Sequence, residues 1–185
     1  FMVGQEGVDY HYEAFSLMTK GQNNDRLTNI STGTRATSWS DTTDSDYGFL
    51  SFFSRGEYNF RNTYFVEAAV RADGSSRFGS SRRWAAFWSL GFMWDMRNEK
   101  FMDSASRWLT NAQLSFSTGT SGNSSIPNYD HLALVGGGAN YNDQMGIYPM
   151  QSGNENLGWE KLWTTNIALH LGFWNRLNVD LEVYN

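Results

Sequence analysis

The chain has 185 residues, of which 40% are hydrophobic, 16% aromatic and only 18% charged, and its net charge is −5. This acidic balance argues against a nucleic-acid-binding protein, which should carry a basic patch, and the lack of cysteine excludes disulfide frameworks and thiol catalysis. No run of about 18 apolar residues predicts a transmembrane helix, although a membrane-spanning β-strand needs only about 9–11 residues.

Alternation of apolar and polar residues, the pattern of a β-strand with two different faces, dominates the sequence. In the last such segment, for example, Val179 and Leu181 flank Asp180. The pattern predicts about seven strands, which in chain order cover residues 8–14, 50–60, 64–73, 86–95, 111–118, 163–172 and 177–183. The predicted fold is all-β, an antiparallel up-and-down meander.

The connections between these strands alternate in length. Residues 17–46 and 120–160 are predicted to be long polar loops, whereas 60–63 and 173–176 are the tightest turns. Counting strands places both tight turns at one end of the meander and both long loops at the other. Outer-membrane β-barrels share this asymmetry, with short periplasmic turns and long external loops. One connection on the short-turn side, residues 96–109, is longer and is predicted to contain a short helical turn.

Alternation alone leaves two architectures open, because a soluble β-sandwich alternates in the same way. Aromatic residues favour the barrel, since they gather near the strand ends, where rings suit the two bilayer interfaces. These residues are Tyr58, Phe60, Tyr64, Trp94, Phe173 and Trp174 at the short-turn end and Trp84 and Trp163 at the loop end. The side chains predicted to face lipid are those of Val66, Val70, Leu114, Leu169, Leu171, Val179 and Leu181.

The titratable residues do not suggest a catalytic or metal-binding site. His11, His131 and His170 are widely separated in the sequence, and His170 is predicted to be a satisfied polar group on the non-lipid face. Glu57 and Glu67 fall on neighbouring strands and face the same way, where pairing with Arg55 or Arg71 is favoured over a catalytic carboxylate pair. We therefore predict no enzyme activity, no bound metal and no cofactor.

Residues 70–79, VRADGSSRFG, resemble the R-x-D-G-S-S-x-F-G signature of SusC/RagA-like TonB-linked outer-membrane transporters; we call them the signature segment. Each motif is weak alone, but several follow in the order that the family shows, over roughly residues 47–185. They are Trp84 with SLGF at 89–92, NEKFM at 98–102, GTSGN at 119–123, IPNY at 126–129, NLGWEK at 156–161, NRL at 175–177 and EVYN at 182–185. Residues 1–46 match only loosely.

The resemblance implies that residues 1–185 are a partial β-barrel domain from a wall of about 22 strands, without the plug, the TonB-contacting segment and the remaining strands. It implies a bacterial outer-membrane importer of glycan oligomers or other nutrients, such as peptides. Its implied partners are a SusD-like surface lipoprotein, the TonB complex and outer-membrane lipid. The alternative is a soluble β-sandwich module that binds carbohydrate. A β-sandwich hydrolase would need a carboxylate pair in a cleft, which the sequence does not indicate.

Two loops are the candidate functional regions, residues 124–159 and secondarily 20–46, both expected at the extracellular mouth. Binding residues concentrate on loops that a rigid scaffold holds, and flat aromatic rings beside amides and carboxylates suit sugars. The candidate substrate- or lid-contacting residues are Tyr129, Asp130, Tyr141, Asn142, Asp143, Tyr148 and Trp159. The alternative is a solvated loop whose aromatic rings pack against its own backbone. Residues 73–79 of the signature segment are predicted to be a structural turn at the loop end.

Overall fold

A computed structural model describes residues 1–142 and 144–185, with the backbone alone at residues 35–38 and 139–141. The strands of the described part are β1 (Met2–Lys20), β2 (Thr34–Phe60), β3 (Tyr64–Ser75), β4 (Trp84–Asp95), β5 (Leu109–Asn123), β6 (Leu134–Tyr141), β7 (Gln144–Gln151), β8 (Glu160–Phe173) and β9 (Leu177–Tyr184). Short 3-10 helices cover Ile30–Thr32, Met96–Asn98 and Lys100–Ala105. No helix in the described part is long and apolar enough to cross a membrane.

Seven strands form one antiparallel sheet in the order β1-β2-β3-β4-β5-β8-β9, and β6 pairs with β7 in a separate hairpin. Apart from that hairpin, every strand of the sheet lies beside its neighbour in the chain. The predicted all-β up-and-down meander is therefore confirmed. The helical turn predicted between residues 96 and 109 is also confirmed, as the two 3-10 helices there.

The two tight turns share one backbone geometry. Arg61 and Asn62 have φ angles of 55° and 53°, and Trp174 and Asn175 have 51° and 53°. In both turns a backbone hydrogen bond closes the four-residue loop, from Thr63 to Phe60 at 3.1 Å and from Arg176 to Phe173 at 3.0 Å. Two successive left-handed residues are the mark of a type I′ turn, whose twist matches that of the flanking strands.

The expectation that residues 17–46 and 120–160 are irregular loops is wrong. Strand β1 continues to Lys20 and β2 begins at Thr34, so the connection between them covers only residues 21–33. The second segment contains the β6–β7 hairpin, and β5 and β8 extend into its two ends. These extensions are rich in Thr, Ser, Gly and Asn, and with no apolar core on either side they lack the alternation that marks a half-buried strand.

The sheet has two chemically different faces. All seven residues predicted to face lipid lie on one face, because the register pairs Val66 with Phe92, Leu114 with Leu169, and Leu171 with Val179. We call this the apolar face. Its side chains are largely open, with exposed fractions of 59% for Val70 and 58% for Leu181. In a β-sandwich this face would instead be dry against a second sheet.

The opposite face, which we call the mixed face, carries charged, small and aromatic residues. The buried side chains Phe78, Phe87 and Asp73 belong to this side of the sheet, near its loop end. Its centre is lined by small residues, namely Ala69, Ser89, Gly91, Ser115, Ser117, Gly119 and Ala168. The part of the small core near the loop end therefore lies on the mixed face, while Leu109 and Ala112 are buried separately at the short-turn end of β5.

The β1–β2 hairpin projects beyond the rest of the sheet. Pairing between β2 and β3 stops at Phe49 with Ser75, so residues 34–48 of β2 pair only with β1. At about 3.3 Å per residue this projection is roughly 50 Å long. Along this projection the two sides exchange their polarity. The side continuous with the mixed face carries the stacked rings of Tyr10 and Tyr47, whereas the side continuous with the apolar face carries the pair of His11 and Asp46.

Candidate functional site

Arg71 of the signature segment is the centre of a polar network on the mixed face. Its Nη2 donates to Glu6 Oε2 at 2.8 Å and to Ser51 Oγ at 2.9 Å, and its Nε donates to Asp73 Oδ1 at 2.5 Å. Ser51 and Asp73 are buried, so the network satisfies polar groups that water cannot reach. It ties β1, β2 and β3 together near the level where β2–β3 pairing ends.

A second ionic group lies closer to the short-turn end. Arg55 Nη2 is 2.6 Å from Glu57 Oε1 and 3.0 Å from Glu67 Oε2, which confirms the predicted pairing of these carboxylates with an arginine. His170 Nδ1 likewise lies 2.7 Å from Asp180 Oδ1, as expected for a satisfied polar group. All of these side chains are well exposed, so each pair contributes little to stability, about 0–1 kcal/mol.

The serines of the signature segment join it to β2 and β4. The Ser76 backbone N–H donates to the Gly48 carbonyl at 3.0 Å, and the Gly48 N–H donates to Ser76 Oγ at 2.9 Å. On the other side, the Ser75 N–H donates to the Arg83 carbonyl at 3.1 Å. Residues 70–75 of the segment belong to β3 and residues 76–79 turn at the loop end, so the predicted turn begins three residues later than expected.

Arg77 connects this turn to the loop between β5 and β6. Its Nε donates to Asn128 Oδ1 at 2.7 Å and its Nη1 to the Ser124 carbonyl at 3.1 Å. Its guanidinium carbon also lies 3.9 Å from the ring centre of Tyr47, a cation–π contact. Asn128 in turn donates to Ser45 Oγ at 2.7 Å, so one arginine and one asparagine link this loop to β2.

Phe78 and Trp159 form the aromatic part of the same connection. Phe78 is only 1% exposed, and its ring centre lies 4.8 Å from that of Trp159. Trp159 also contacts Phe87 at 5.5 Å and Phe49 at 6.2 Å. The indole Nε1 donates to the Arg83 carbonyl at 2.9 Å. These rings pack the chain before β8 against the mixed face of β2 and β4.

Gly79 ends the signature segment where two backbones come close together. Its N–H donates to the Leu157 carbonyl at 2.9 Å, and Ser81 Oγ donates to the Glu155 carbonyl at 2.8 Å. A Cβ atom at position 79 would overlap the Glu155 carbonyl. Only glycine allows this approach, and both ends of the segment between β5 and β8 are thereby held by residues 77–81.

The candidate contact residues fall into three groups. Tyr129 and Asp130 are half-buried at the base of the loop, where the Tyr129 hydroxyl accepts the Asp46 N–H at 2.7 Å. Tyr148 and Asn142 are exposed on the β6–β7 hairpin, and Trp159 belongs to the aromatic cluster. The side chain of Tyr141 and the whole of Asp143 lie outside the described residues.

Gln151 holds the base of the hairpin through three backbone carbonyls. Its Nε2 lies 2.8–3.1 Å from the carbonyl oxygens of Tyr129, Asp130 and Leu132. Beside it, Tyr129 adopts a left-handed φ of 72°. The candidate residues Tyr129 and Asp130 therefore lie in a hydrogen-bonded turn. Their contact with a substrate or lid stays a prediction.

The β6–β7 hairpin presents apolar side chains to the outside. Met145, Ile147 and Met150 are 87%, 77% and 64% exposed, and Val135 is exposed beside them. An isolated two-stranded hairpin is marginally stable in water, so this surface is typical of one that packs against another body. The sequence interpretation missed it, because Gly136, Gly137 and Gly138 and two register shifts interrupt the alternation.

His11, Asp44 and Asp46 form a small exposed group on the projecting hairpin. Their ligand atoms lie within 4.8 Å of one another, a spacing that a metal ion could bridge. His11 Nδ1 is 2.5 Å from Asp46 Oδ1 and 3.6 Å from Asp44 Oδ1. The hydrogen bond and the charge of Asp46 raise the pKa of His11 above its ordinary value of 6.5. The geometry is accounted for by this ion pair alone.

Comparison with known proteins relates this chain to the β-barrels of TonB-dependent receptors. A family model described as "TonB dependent receptor-like, beta-barrel" matches residues 1–185. A TonB-dependent receptor of Formosa agariphila is 34% identical over 154 residues, which are 83% of this chain and 14% of that protein. TonB-dependent receptor SusC of Bacteroides thetaiotaomicron is 32% identical over 137 residues, which are 68% of this chain and 13% of SusC.

Solved structures of the RagAB transporter share the fold of this chain. The RagAB peptide transporter superimposes with a TM-score of 0.87 at 37% identity, over 98% of this chain and 20% of that one. The RagAB peptide importer in the "open-open" state gives 0.86 at 37% identity, over the same shares of the two chains. This chain thus spans only a small part of the proteins that it matches.

Proposed function

This chain belongs to the β-barrel family of TonB-dependent receptors, in its SusC/RagA-like branch, and on that premise we propose that it forms part of the wall of a nutrient importer. Barrels of this family lie in the bacterial outer membrane, and so does this one. In the proposed importer the apolar face contacts lipid and the mixed face lines the lumen. The β1–β2 and β6–β7 hairpins lie at the extracellular mouth.

The change of polarity along the apolar side of β2 carries this proposal. On that side the residues from Phe60 to Leu50 are ring-bearing, aliphatic or small, but beyond Gly48 the next two are Asp46 and Asp44. Residues 50–60 match the length of a membrane-spanning strand, about 9–11 residues. The acidic pair then marks the level at which the strand leaves the bilayer, because carboxylates are costly in lipid.

The relatives and the mouth of the barrel support a proposed substrate class. RagAB is named a peptide importer, and SusC is named a TonB-dependent receptor. We propose glycan oligomers or other nutrients, such as peptides, as the cargo. The polar lining of the mixed face supports a hydrated path, and the exposed Tyr148 and Asn142 offer a ring and an amide at its mouth. TonB is the proposed source of energy, and no residue of this chain is assigned to that contact.

The proposed partner at the mouth is a SusD-like surface lipoprotein. The exposed methionines and isoleucine of the β6–β7 hairpin support this assignment more strongly than they support sugar binding, because they offer apolar contact and few hydrogen bonds. The assignment to a lipoprotein partner is also supported by residues 77–81, which hold both ends of the chain between β5 and β8. Such a hairpin would keep its position on the wall while its tip contacts the lid.

Deletion of residues 136–146 from the full-length importer tests the proposal. We expect normal surface levels, because the wall contacts of Arg77 and Gly79 remain, but weaker uptake or weaker lid binding. A sharper version replaces Met145, Ile147 and Met150 with serine. A comparison variant places serine at two exposed apolar residues of the secondary candidate region, Leu27 and Ile30, and measures which of the two regions contributes more. Unchanged uptake and lid affinity in the deletion would show that the hairpin is only a connector.

A further inference from the structure

Seven aromatic side chains form a belt at the short-turn end of the sheet. They are Phe60, Tyr64, Trp94, Phe101, Trp108, Phe173 and Trp174, which we call the short-turn belt. Neighbouring ring centres are 6.3–6.5 Å apart in the row from Phe60 to Phe101 and 5.9–6.0 Å apart from Trp108 to Trp174. Aromatic rings of this kind lie at the depth of lipid headgroups.

Two acidic side chains at this end, those of Glu99 and Asp95, are engaged by neighbouring groups of the chain, whereas Asp103 is exposed. Glu99 Oε1 accepts the Tyr64 hydroxyl at 2.5 Å and Trp94 Nε1 at 3.3 Å. Asp95 Oδ1 accepts the Arg97 backbone N–H at 3.2 Å. Glu99 therefore holds the polar ends of two belt rings, and Asp95 caps a 3-10 helix. Neither carboxylate forms an ion pair with a basic side chain in the described part.

Four basic side chains lie beside the belt. Arg61, Lys100, Arg107 and Arg176 are exposed, and each lies within two residues of a belt member in the sequence. The Arg61 guanidinium lies 5.0 Å from the ring centre of Phe60. Among the described residues, none of the four forms an ion pair. These cations thus lie next to interfacial rings, and no described carboxylate is within ion-pair distance of them.

We propose that the short-turn belt and these four cations bind the phosphates of anionic glycerophospholipids in the leaflet at the short-turn end. The inference rests on the proposed function, because it requires the apolar face to lie in a bilayer. Rings at headgroup depth place the neighbouring guanidinium groups level with the phosphates, which arginine binds through charge-assisted hydrogen bonds. A basic residue near an anionic membrane surface gains about 1 kcal/mol, which corresponds to a preference of about fivefold.

The opposite end of the sheet supports this assignment by contrast. Where the apolar side of the β1–β2 hairpin leaves the proposed bilayer, it carries Asp9, Glu13, Asp44 and Asp46 around the single His11. That surface repels anionic headgroups, whereas the short-turn end attracts them. The two ends of the same wall therefore differ in the sign of their exposed charge.

The test uses the full-length importer in nanodiscs made with equal parts of phosphatidylglycerol and phosphatidylcholine. After extraction, native mass spectrometry counts the lipids that remain bound. The variant Arg61→Gln/Arg107→Gln/Arg176→Gln removes three cations from the short-turn end. Its control, Arg26→Gln/Arg82→Gln/Arg83→Gln, removes three exposed arginines from the loop end. We expect the wild type and the control to retain phosphatidylglycerol preferentially and the belt variant to lose that preference by about fivefold or more.

An unchanged preference in the belt variant, or an equal loss in both variants, would overturn the inference. If the triple variant does not assemble, Arg61→Gln alone and a salt titration of the wild type replace it, and a preference insensitive to both contradicts the inference. Displacement of the lipid by inorganic phosphate at equal concentration would identify a free-phosphate site instead. Failure of the wild type to enter nanodiscs would count against the membrane wall itself, whereas entry without lipid preference counts only against this inference.

Discussion

The two faces of the seven-stranded sheet are built from the same strands but are held in different ways. On the mixed face, side chains satisfy one another through the Arg71 network and through the cluster around Trp159. On the apolar face, side chains such as those of Val70 and Leu181 have no protein layer over them. The contacts on the mixed face therefore stabilise the local structure. The exposed side chains of the apolar face determine in which solvent the protein is stable.

Phe78→Ala should have the largest effect, because it removes a ring that is 1% exposed from the mixed face. Truncation of a buried phenylalanine costs about 3–5 kcal/mol. We expect the loss to appear first as proteolytic cleavage within residues 124–159, because Phe78 packs on Trp159 at the end of that segment. The control Phe52→Ala removes a half-exposed ring from the apolar face. Equal sensitivity of the two variants would remove the distinction between the faces.

Leu169→Arg places a charge on the apolar face of β8 and should destabilise the barrel in lipid by about 2–4 kcal/mol near mid-membrane. The neighbouring change His170→Arg lies on the mixed face and should cost much less. Denaturant unfolding in vesicles compares the two. Thiol labelling of Leu169→Cys and His170→Cys gives a second measurement. Strong labelling at 169 beside protection at 170 would show that the faces are assigned the wrong way round.

Asp73→Asn should weaken the mixed face by an intermediate amount. Asp73 is buried and accepts from Arg71 Nε at 2.5 Å. Asparagine keeps an acceptor oxygen but removes the negative charge of this charge-assisted hydrogen bond, which contributes about 1.5–3 kcal/mol. Arg71 is partly exposed, so water can compensate and the lower part of that range is expected. The control Asp180→Asn affects an exposed partner of His170 and should be nearly neutral. Thermal unfolding of both variants in detergent checks this order.

A change at His11 should have the smallest effect on stability. His11 lies on the β1–β2 hairpin, where the side continuous with the apolar face has become polar. Asp46 raises its folded-state pKa above 6.5, so its ion pair contributes fully below that value and the contribution is lost as pH rises through the folded-state pKa. His11→Gln should therefore differ from the wild type in thermal stability at low pH and converge with it at high pH. Asp9 lies on the same side of β1 and is not among the groups that raise the pKa of His11, so Asp9→Asn serves as the control. A difference that grows with pH would contradict the assignment.

The sequence allowed the strands of the wall and the two tight turns to be predicted, because half-buried strands alternate and the sharp turns are short. It did not allow the ends of β1 and β2 to be placed, since a projecting hairpin with two solvated sides has no need to alternate. The β6–β7 hairpin was missed for the same reason, with glycines at 136–138 hiding it further. Trp159 illustrates the limit for the site, because sequence position alone does not distinguish a ring open to a ligand from one packed on Phe78 and Phe87.

The contacts of residues 77–81 have a consequence for the order in which the wall is assembled. Arg77 reaches partners 47 and 51 positions later in the chain, and Ser81 reaches partners 74 and 75 positions later. Long chain closures of this kind form slowly, because their entropy is lost before the contact is gained. The hairpins β3–β4 and β8–β9 close locally, so they should form early and the loop should dock last. The mouth of the barrel is then expected to stay unfinished until β5 and β8 have paired, which pulse-labelling hydrogen exchange during refolding could time.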